Sequence, residues 1–440
     1  MCATMSPLAL FGGPRAVDGD PGDTFSWPIV TENDEAAVLD VLRRGAMSDT
    51  DVTEAFETEF AAWQGRDYAL AFTNGTAALL AAMFSVGVGV GDEIICPSLT
   101  YWASALPAFS LGATVVFADI APDTLCIDPD DIEHRITGRT KAIVVVHYMG
   151  HPADMDPILA VAARHGIPII EDVSHAHGGL YKGRVLGTLG GVAAMSLMSG
   201  KSLPIGEGGM LVTDDREIYE RGVAFGHYRR FDGTIQSPAL RDYRYLPIGG
   251  IKGRMNQFSS AMGRVQLREY DDRATEVRAA INAFWDALEG VPGLRAHRVS
   301  PTGDSTMAGW YAAGGHYVPA ELGGLSVTRF AEAVQAEGSS CRPGINRPLH
   351  LHPLFNTCDV YGHGKPTRIA NANRDLRQPH GSLPVSEGIG ALTYGIPQFK
   401  RYRVEVISQH AAAYRKVAEH AETLMDGDPG NPASLCGWGI

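Results

Sequence analysis

The chain has 440 residues, 45% hydrophobic and 20% charged, the make-up of a folded protein long enough for two domains. Its formal net charge of −13 argues against a nucleic-acid or anionic-membrane surface, while small anionic ligands stay open. Six cysteines (Cys2, Cys96, Cys126, Cys341, Cys358, Cys436) form no C-x-x-C pair and read as free thiols of a reducing compartment. No apolar run suits a signal peptide or a membrane span, so a cytoplasmic location is expected.

In chain order, Leu8 to Pro28 reads as an N-terminal arm. Thr31 followed by Glu32, Asp34 and Glu35 offers a helix cap with acids in the first turn, and Phe56, Phe60 and Trp63 mark the buried stripe of a second helix. Tyr68–Phe72 reads as a strand, and Thr73-Asn74-Gly75-Thr76 turns from it into a helix from Ala77. Such a junction presents free N–H groups and a helix dipole to an anion, although any strand-to-helix turn has something of this character. Gly87 to Asp92 is glycine-rich, but it follows a helix and precedes a strand, the wrong order for a dinucleotide fingerprint.

Glu93–Pro97, Thr114–Asp119, Ala142–His147 and Pro168–Asp172 continue as strands, with helices expected from Ser98 and over Asp156–His165. The alternation predicts a largely parallel sheet covered by helices on both faces, with its ligand crevice at the strands' carboxyl ends.

Two stretches carry the chemistry. The strand ending at Glu171-Asp172 points an acid into that crevice, and Lys201 sits between an apolar run and the glycine-rich turn Gly206-Glu207-Gly208-Gly209. A lysine held between buried strands is desolvated and becomes a candidate amine nucleophile; otherwise it is a surface lysine at a strand end. An acid paired with such a lysine is what a pyridoxal cofactor needs, one group for its aldehyde and one for its ring nitrogen.

The run Glu171-Asp172-x-Ser174-His175-Ala176-x-Gly178, then Tyr181-Lys182-Gly183-Arg184, then Ser196-x4-Lys201, then Gly206-Glu207-Gly208-Gly209-x3-Thr213, resembles the DegT/DnrJ/StrS aminotransferases. The resemblance covers nearly the whole chain and is most specific over residues 68 to 213. It implies an α/β fold of the aspartate-aminotransferase type (pyridoxal phosphate fold type I). A large domain would carry a mostly parallel sheet of seven-stranded type, beside a smaller C-terminal α+β domain. The expected divisions are residues 1–45 as arm and first helix, 46–270 as the cofactor domain and 271–440 as the small domain.

The resemblance also implies roles. Lys201 would hold pyridoxal 5'-phosphate as an aldimine and Asp172 would keep its ring protonated, with pyridoxamine 5'-phosphate as the half-way form of a ping-pong exchange. Gly75, Thr76 and Ser196 would seat the phosphate, with Ser199 an alternative donor. Tyr101 would stack on the ring, with Trp102 its neighbouring alternative, and His175 would lie beside the phenolic oxygen.

Lys252 stands where relatives carry an asparagine reaching the neighbouring subunit's phosphate; Gly191 and Leu197 are further departures from the pattern. Arg347 and His350 are carried over as substrate-side residues. No metal is expected, since the His350-x-His352 pair lacks a carboxylate or cysteine at confirming spacing. The donor implied is glutamate or glutamine, and the acceptor a keto-sugar, often nucleotide-linked, or a keto-cyclitol such as scyllo-inosose. A homodimer with shared sites is implied, with no nucleic-acid or membrane partner. The rivals are sugar dehydration, which in relatives replaces the lysine by histidine, another lysine-dependent reaction, and a non-catalytic regulatory or scaffold member.

In the C-terminal part, a long helix is expected from Met255 through Val277 and Trp285 to Leu288, then a strand within Gly309–Val318 and a helix over Thr328–Gly338. The Gly- and Pro-containing end, Asp426–Ile440, reads as a loose tail.

Overall fold

A computed structural model describes residues 7–300, 302–308, 310–360, 362–366, 371–433, 435, 437 and 438; Cys2 and Cys436 lie outside them. Helix α1 (Glu32–Arg44) begins at a Thr31/Asp34 capping box and ends at Gly45 in the left-handed conformation. Helix α2 (Asp51–Gln64) buries Phe56 and Phe60.

The main sheet is built from β1 (Tyr68–Phe72), β2 (Glu93–Pro97), β3 (Thr114–Ala118), β4 (Thr140–Val146), β5 (Ile169–Asp172), β6 (Val192–Ser196) and β7 (Gly209–Thr213). Their spatial order is β1-β7-β6-β5-β4-β2-β3. All neighbours are parallel except β7, which runs antiparallel to both β1 and β6. The strands are nearly continuous apolar runs because both faces are covered. Helix α3 (Gly75–Ser85) follows β1 directly, with the Asn74 side chain accepting the Ala77 N–H at 2.9 Å as its cap.

Asp172 closes β5 and is in register with Val146 of β4 and Ala194 of β6. Ser196 closes β6, so both sites open on the same edge of the sheet. The helix expected from Ser98 is only a 3-10 turn, Trp102–Ser104, with Tyr101 at its head, followed by a short helix at Pro107.

The single helix expected from Met255 to Leu288 is broken. Helix α4 (Gln257–Arg268) and helix α5 (Tyr270–Ala287) meet at Glu269. Val265 and Ala261 of α4 are buried beside α1 and α2, Tyr270 and Ala274 at the head of α5 still join the main core, and Val277, Ile281 and Trp285 further along α5 enter a second cluster with Phe330, Tyr394 and Tyr414. One straight helix could not turn both apolar faces to their partners.

The second cluster surrounds a four-stranded antiparallel sheet, β8 (Leu294–Ala296), β9 (Gly314–Tyr317), β10 (Arg342–Pro343) and β11 (Thr393–Gly395), in the order β8-β9-β11-β10. Helices α6 (Val327–Ala336) and α7 (Val404–Glu419) cover it. The N-terminal arm joins this cluster through Leu8, and the Ala9 and Ala16 N–H groups donate to the buried Glu337 carboxylate.

The described part of the C-terminal segment is anchored rather than loose. Asp428 accepts the N–H and O–H of Ser326 at the head of α6, Asn431 accepts from Thr328, and the Gly437 carbonyl accepts the Arg347 N–H at 2.8 Å. Leu435 adds an apolar contact with the second cluster. Among the described residues no helix is long and apolar enough to cross a membrane.

Candidate active site

A cleft of about 1190 Å³ lies at the carboxyl edge of the main sheet, between it and the second cluster. Of the residues singled out in the sequence, Gly75, Thr76, Tyr101, Asp172, His175, Ser196 and Lys201 all line it; so does Trp102. Lys252, Arg347 and His350 do not.

Lys201 is 8% exposed, and burial pulls its amine down to about 8 although the nearby Asp172 charge opposes this. Its Nζ lies 3.7 Å from the ring centroid of Tyr311, which comes from the loop before β9. Its carbonyl accepts the Trp27 indole N–H at 3.0 Å, so the N-terminal arm fixes the lysine's backbone. Asp172 is 4% exposed and its carboxylate accepts the Ser104 hydroxyl at 2.7 Å and the Ser174 N–H at 3.1 Å. Both carboxylate oxygens are thus held, Oδ2 by the Ser104 hydroxyl and Oδ1 by the Ser174 N–H.

Its neighbour Glu171 is spent on structure. Fully buried, it accepts the N–H groups of Gly187, Leu189 and Gly190 and the Nε2–H of His147, whose Nδ1 in turn accepts the Ala153 N–H. Burial raises this carboxyl, but His147 and the backbone donors outweigh it and hold it below the ordinary value. Adjacent acids on a strand point to opposite faces, so only Asp172 can reach the cleft.

Gly75 and Thr76 form the first turn of α3 at the cleft wall, with Ser196 against them. His175 is held neutral by burial and by the Lys201 and His177 charges, well below its ordinary value; its Nδ1 accepts the Met149 N–H at 3.4 Å, and its ring lies 4.5 Å from that of Tyr311. His177 points away, its Nδ1 paired with Ser202 Oγ at 2.9 Å. Ser199 is exposed and its hydroxyl donates to the Gly206 carbonyl, outside the cleft lining.

His350 is fully buried between Ser98 Oγ at 2.7 Å and Glu387 Oε1 at 3.0 Å, off the cleft. The reason is a long-range contact: the Ser98 carbonyl and hydroxyl capture the 349–350 backbone and ring from the end of β2. Arg347 stacks its guanidinium 4.3 Å from the Trp438 ring, and it is Trp438 that lines the cleft. Lys252 is exposed on the segment following Tyr243, Tyr245, Leu246 and Ile248, all exposed apolar groups. Among the described residues no group of three or more His, Cys, Asp or Glu could hold a metal.

Sequence reading missed Ser104, Tyr311, Trp27, Trp438 and Lys400, all set by tertiary contact. Only Lys400 carried a usable signal, since it follows the apolar run Ile396-Pro397-Gln398-Phe399 much as Lys201 follows Met195–Met198.

Residues 28–390 match the DegT/DnrJ/EryC1/StrS aminotransferase family, and the chain belongs to it. It is an aminotransferase. It is 35% identical over 344 residues to an L-glutamine:2-deoxy-scyllo-inosose aminotransferase of Streptomyces kanamyceticus, covering 75% of this chain and 79% of that one. It is 35% identical over 339 residues to a GDP-perosamine synthase of Caulobacter vibrioides, covering 73% and 86%. The solved structure of an aminotransferase from Psychrobacter cryohalolentis superposes with a TM-score of 0.78 at 30% identity, covering 91% of this chain and all of that one.

Proposed function

We propose that this aminotransferase carries an amino group from glutamate or glutamine to a keto-cyclitol or a keto-sugar, in ping-pong fashion, with pyridoxal 5'-phosphate held by Lys201. The observation that carries the reading is the pairing in one cleft of a desolvated amine, Lys201, with an oriented carboxylate, Asp172. The residues suit this cofactor in kind. A helix N-terminus and the Ser196 hydroxyl meet a phosphate, the Tyr101 or Trp102 face meets a ring, and Asp172 meets a ring N–H.

When bound, the cofactor supplies an electron sink for the pair left as a proton departs the substrate carbon. Asp172 keeps that sink effective by holding a proton on the ring nitrogen, and Ser104 fixes the carboxylate that does so. Lys201 Nζ, neutral above about 8, takes and returns the substrate-carbon proton. The Tyr311 ring covers that amine from the small-domain side. His175, neutral and half-covered by Tyr311, is placed to bond with its free ring nitrogen to the cofactor's phenolic oxygen.

A homodimer with shared sites belongs to the same reading, supported by the exposed Tyr243, Tyr245, Leu246 and Ile248 beside Lys252. So does a cytoplasmic location, supported by the buried Cys96, Cys126 and Cys341, none of which forms a disulfide. One named relative is an aminotransferase of 2-deoxy-scyllo-inosose and another a synthase of GDP-perosamine, and both acceptor types remain within the proposal.

The test is the absorbance spectrum of the purified protein before and after L-glutamine or L-glutamate, with Lys201→Ala alongside. A visible band that is lost with the donor and absent from the variant supports the reading. A chain that takes up no pyridoxal phosphate overturns it.

A further inference from the structure

A second lysine lines the same cleft. Lys400 stands two residues past Gln398 at the end of the apolar run that follows β11, half-buried, and no carboxylate pairs with it among the described residues. Its backbone N–H donates to the Thr24 carbonyl at 2.7 Å, and its Nζ lies 5.1 Å from the centroid of the Trp27 ring. The same indole donates to the Lys201 carbonyl. One tryptophan therefore spaces the two lysines, holding one by its edge and the other over its face.

The charge around the cleft is divided by wall. The acids among its lining residues, Asp172 and Glu207, come from the main-sheet side. The second wall, from Tyr311 to Trp438, contributes Lys400 and Arg342 and no carboxylate. A cation taken this far out of water without a counter-ion is costly to keep unless an anion completes it. Gln398 cannot, since its amide is consumed by Ala313 and Ile396.

We propose that Lys400 is the residue that binds the α-carboxylate of the amino donor, with the Trp27 indole setting its distance from Lys201. The proposal rests on the donor reading above. Every amino-acid donor carries a carboxylate on the carbon whose amine reacts, so its anion must lie close to Lys201. A cyclitol acceptor has no anion, and the diphosphate of a nucleotide-linked sugar lies remote from its carbonyl. A single partly desolvated ammonium tethered to the Lys201 segment matches the first of these demands.

The experiment compares the wild type with Lys400→Met and Lys400→Arg, each loaded with pyridoxal phosphate and checked for an unchanged melting curve. Two readouts are taken. Calorimetry measures the binding of glutarate, a dicarboxylate without an amine. Single-turnover absorbance compares L-glutamine with 4-aminobutanamide, its decarboxylated counterpart. The expected result for Lys400→Met is glutarate binding weakened roughly 10- to 100-fold, with the preference for glutamine over the amide shrinking in like measure. The rate with the amide stays unchanged, and Lys400→Arg recovers part of the loss. Unchanged glutarate binding and donor preference in Lys400→Met overturns the proposal. Because glutarate binding needs no amino transfer, failure of the donor reading and failure of this inference give different results.

Discussion

Gly75 and Ser196 touch so closely that a methyl group on the glycine would lie 2.6 Å from Ser196 Cβ and 2.7 Å from its Cα. The first turn of α3 is thereby pressed onto the end of β6, which sets the proposed phosphate seat against the strand that leads to Lys201. Gly209 serves the same contact from the other side, since a Cβ there would lie 2.3 Å from the Asn74 carbonyl oxygen.

Gly75→Ala should therefore push helix and strand apart. Overpacking of this kind costs about 1–3 kcal/mol, read as a lower melting temperature. Affinity for pyridoxal phosphate, measured by equilibrium dialysis, should fall along with it. A variant as stable as the wild type, with unaltered cofactor affinity, would show that the turn can move aside.

Asp172→Asn should keep the fold, because amide and carboxylate have the same shape, yet lower the rate of the donor half-reaction by roughly 10²–10³-fold. Ser104→Ala removes only the hydroxyl that orients the carboxylate, a loss of about 1 kcal/mol and so less than roughly tenfold. Stopped-flow absorbance orders the two; equal losses would mean that orientation, rather than charge, is what Asp172 supplies.

Lys201 should react as a neutral amine with a value of about 8. Only the unprotonated form attacks an aldehyde, so borohydride-trapped pyridoxal phosphate should accumulate faster as pH rises and level off above about 8. Trapping on Lys201 is located by peptide mass. A rate still climbing through pH 10 would indicate an ordinary solvated lysine.

Three histidines join the two cores: the rings of His151 and His297 lie 5.1 Å apart, and His297 Nδ1 meets His316 Nε2 at 3.0 Å. Burial, then the neighbouring histidines, holds His297 well below its ordinary value, and burial lowers His151 and His316 too. These rings take up protons more readily unfolded than folded. Stability is thus intact above about 6.5 and is lost as pH falls below it. Melting temperature should decline between pH 7 and pH 5, less steeply in His297→Gln. Part of the slope should survive, since burial also lowers His177 and His227 to about 3 and His410 to about 4. An identical acid slope in the variant would exonerate the cluster.

What the sequence by itself determined is the local chemistry. The alternation of strands and helices, the Thr31 cap, the turn at Gly75 and the placing of Asp172 and Lys201 after buried runs all follow from backbone preferences within a few residues. Tertiary structure decided who stands opposite whom. Ser104 became the partner of Asp172, Trp27 the spacer between Lys201 and Lys400, and Tyr311 the cover of the Lys201 amine, across separations that periodicity cannot span. It also drew His350 into the interior beside Ser98, broke the expected long helix at Glu269 and anchored the segment after Asp426. Each depends on which apolar faces meet once the sheet order β1-β7-β6-β5-β4-β2-β3 is in place. That order is a property of the packed whole, because burial is shared between elements distant in the chain, and no single stretch encodes it.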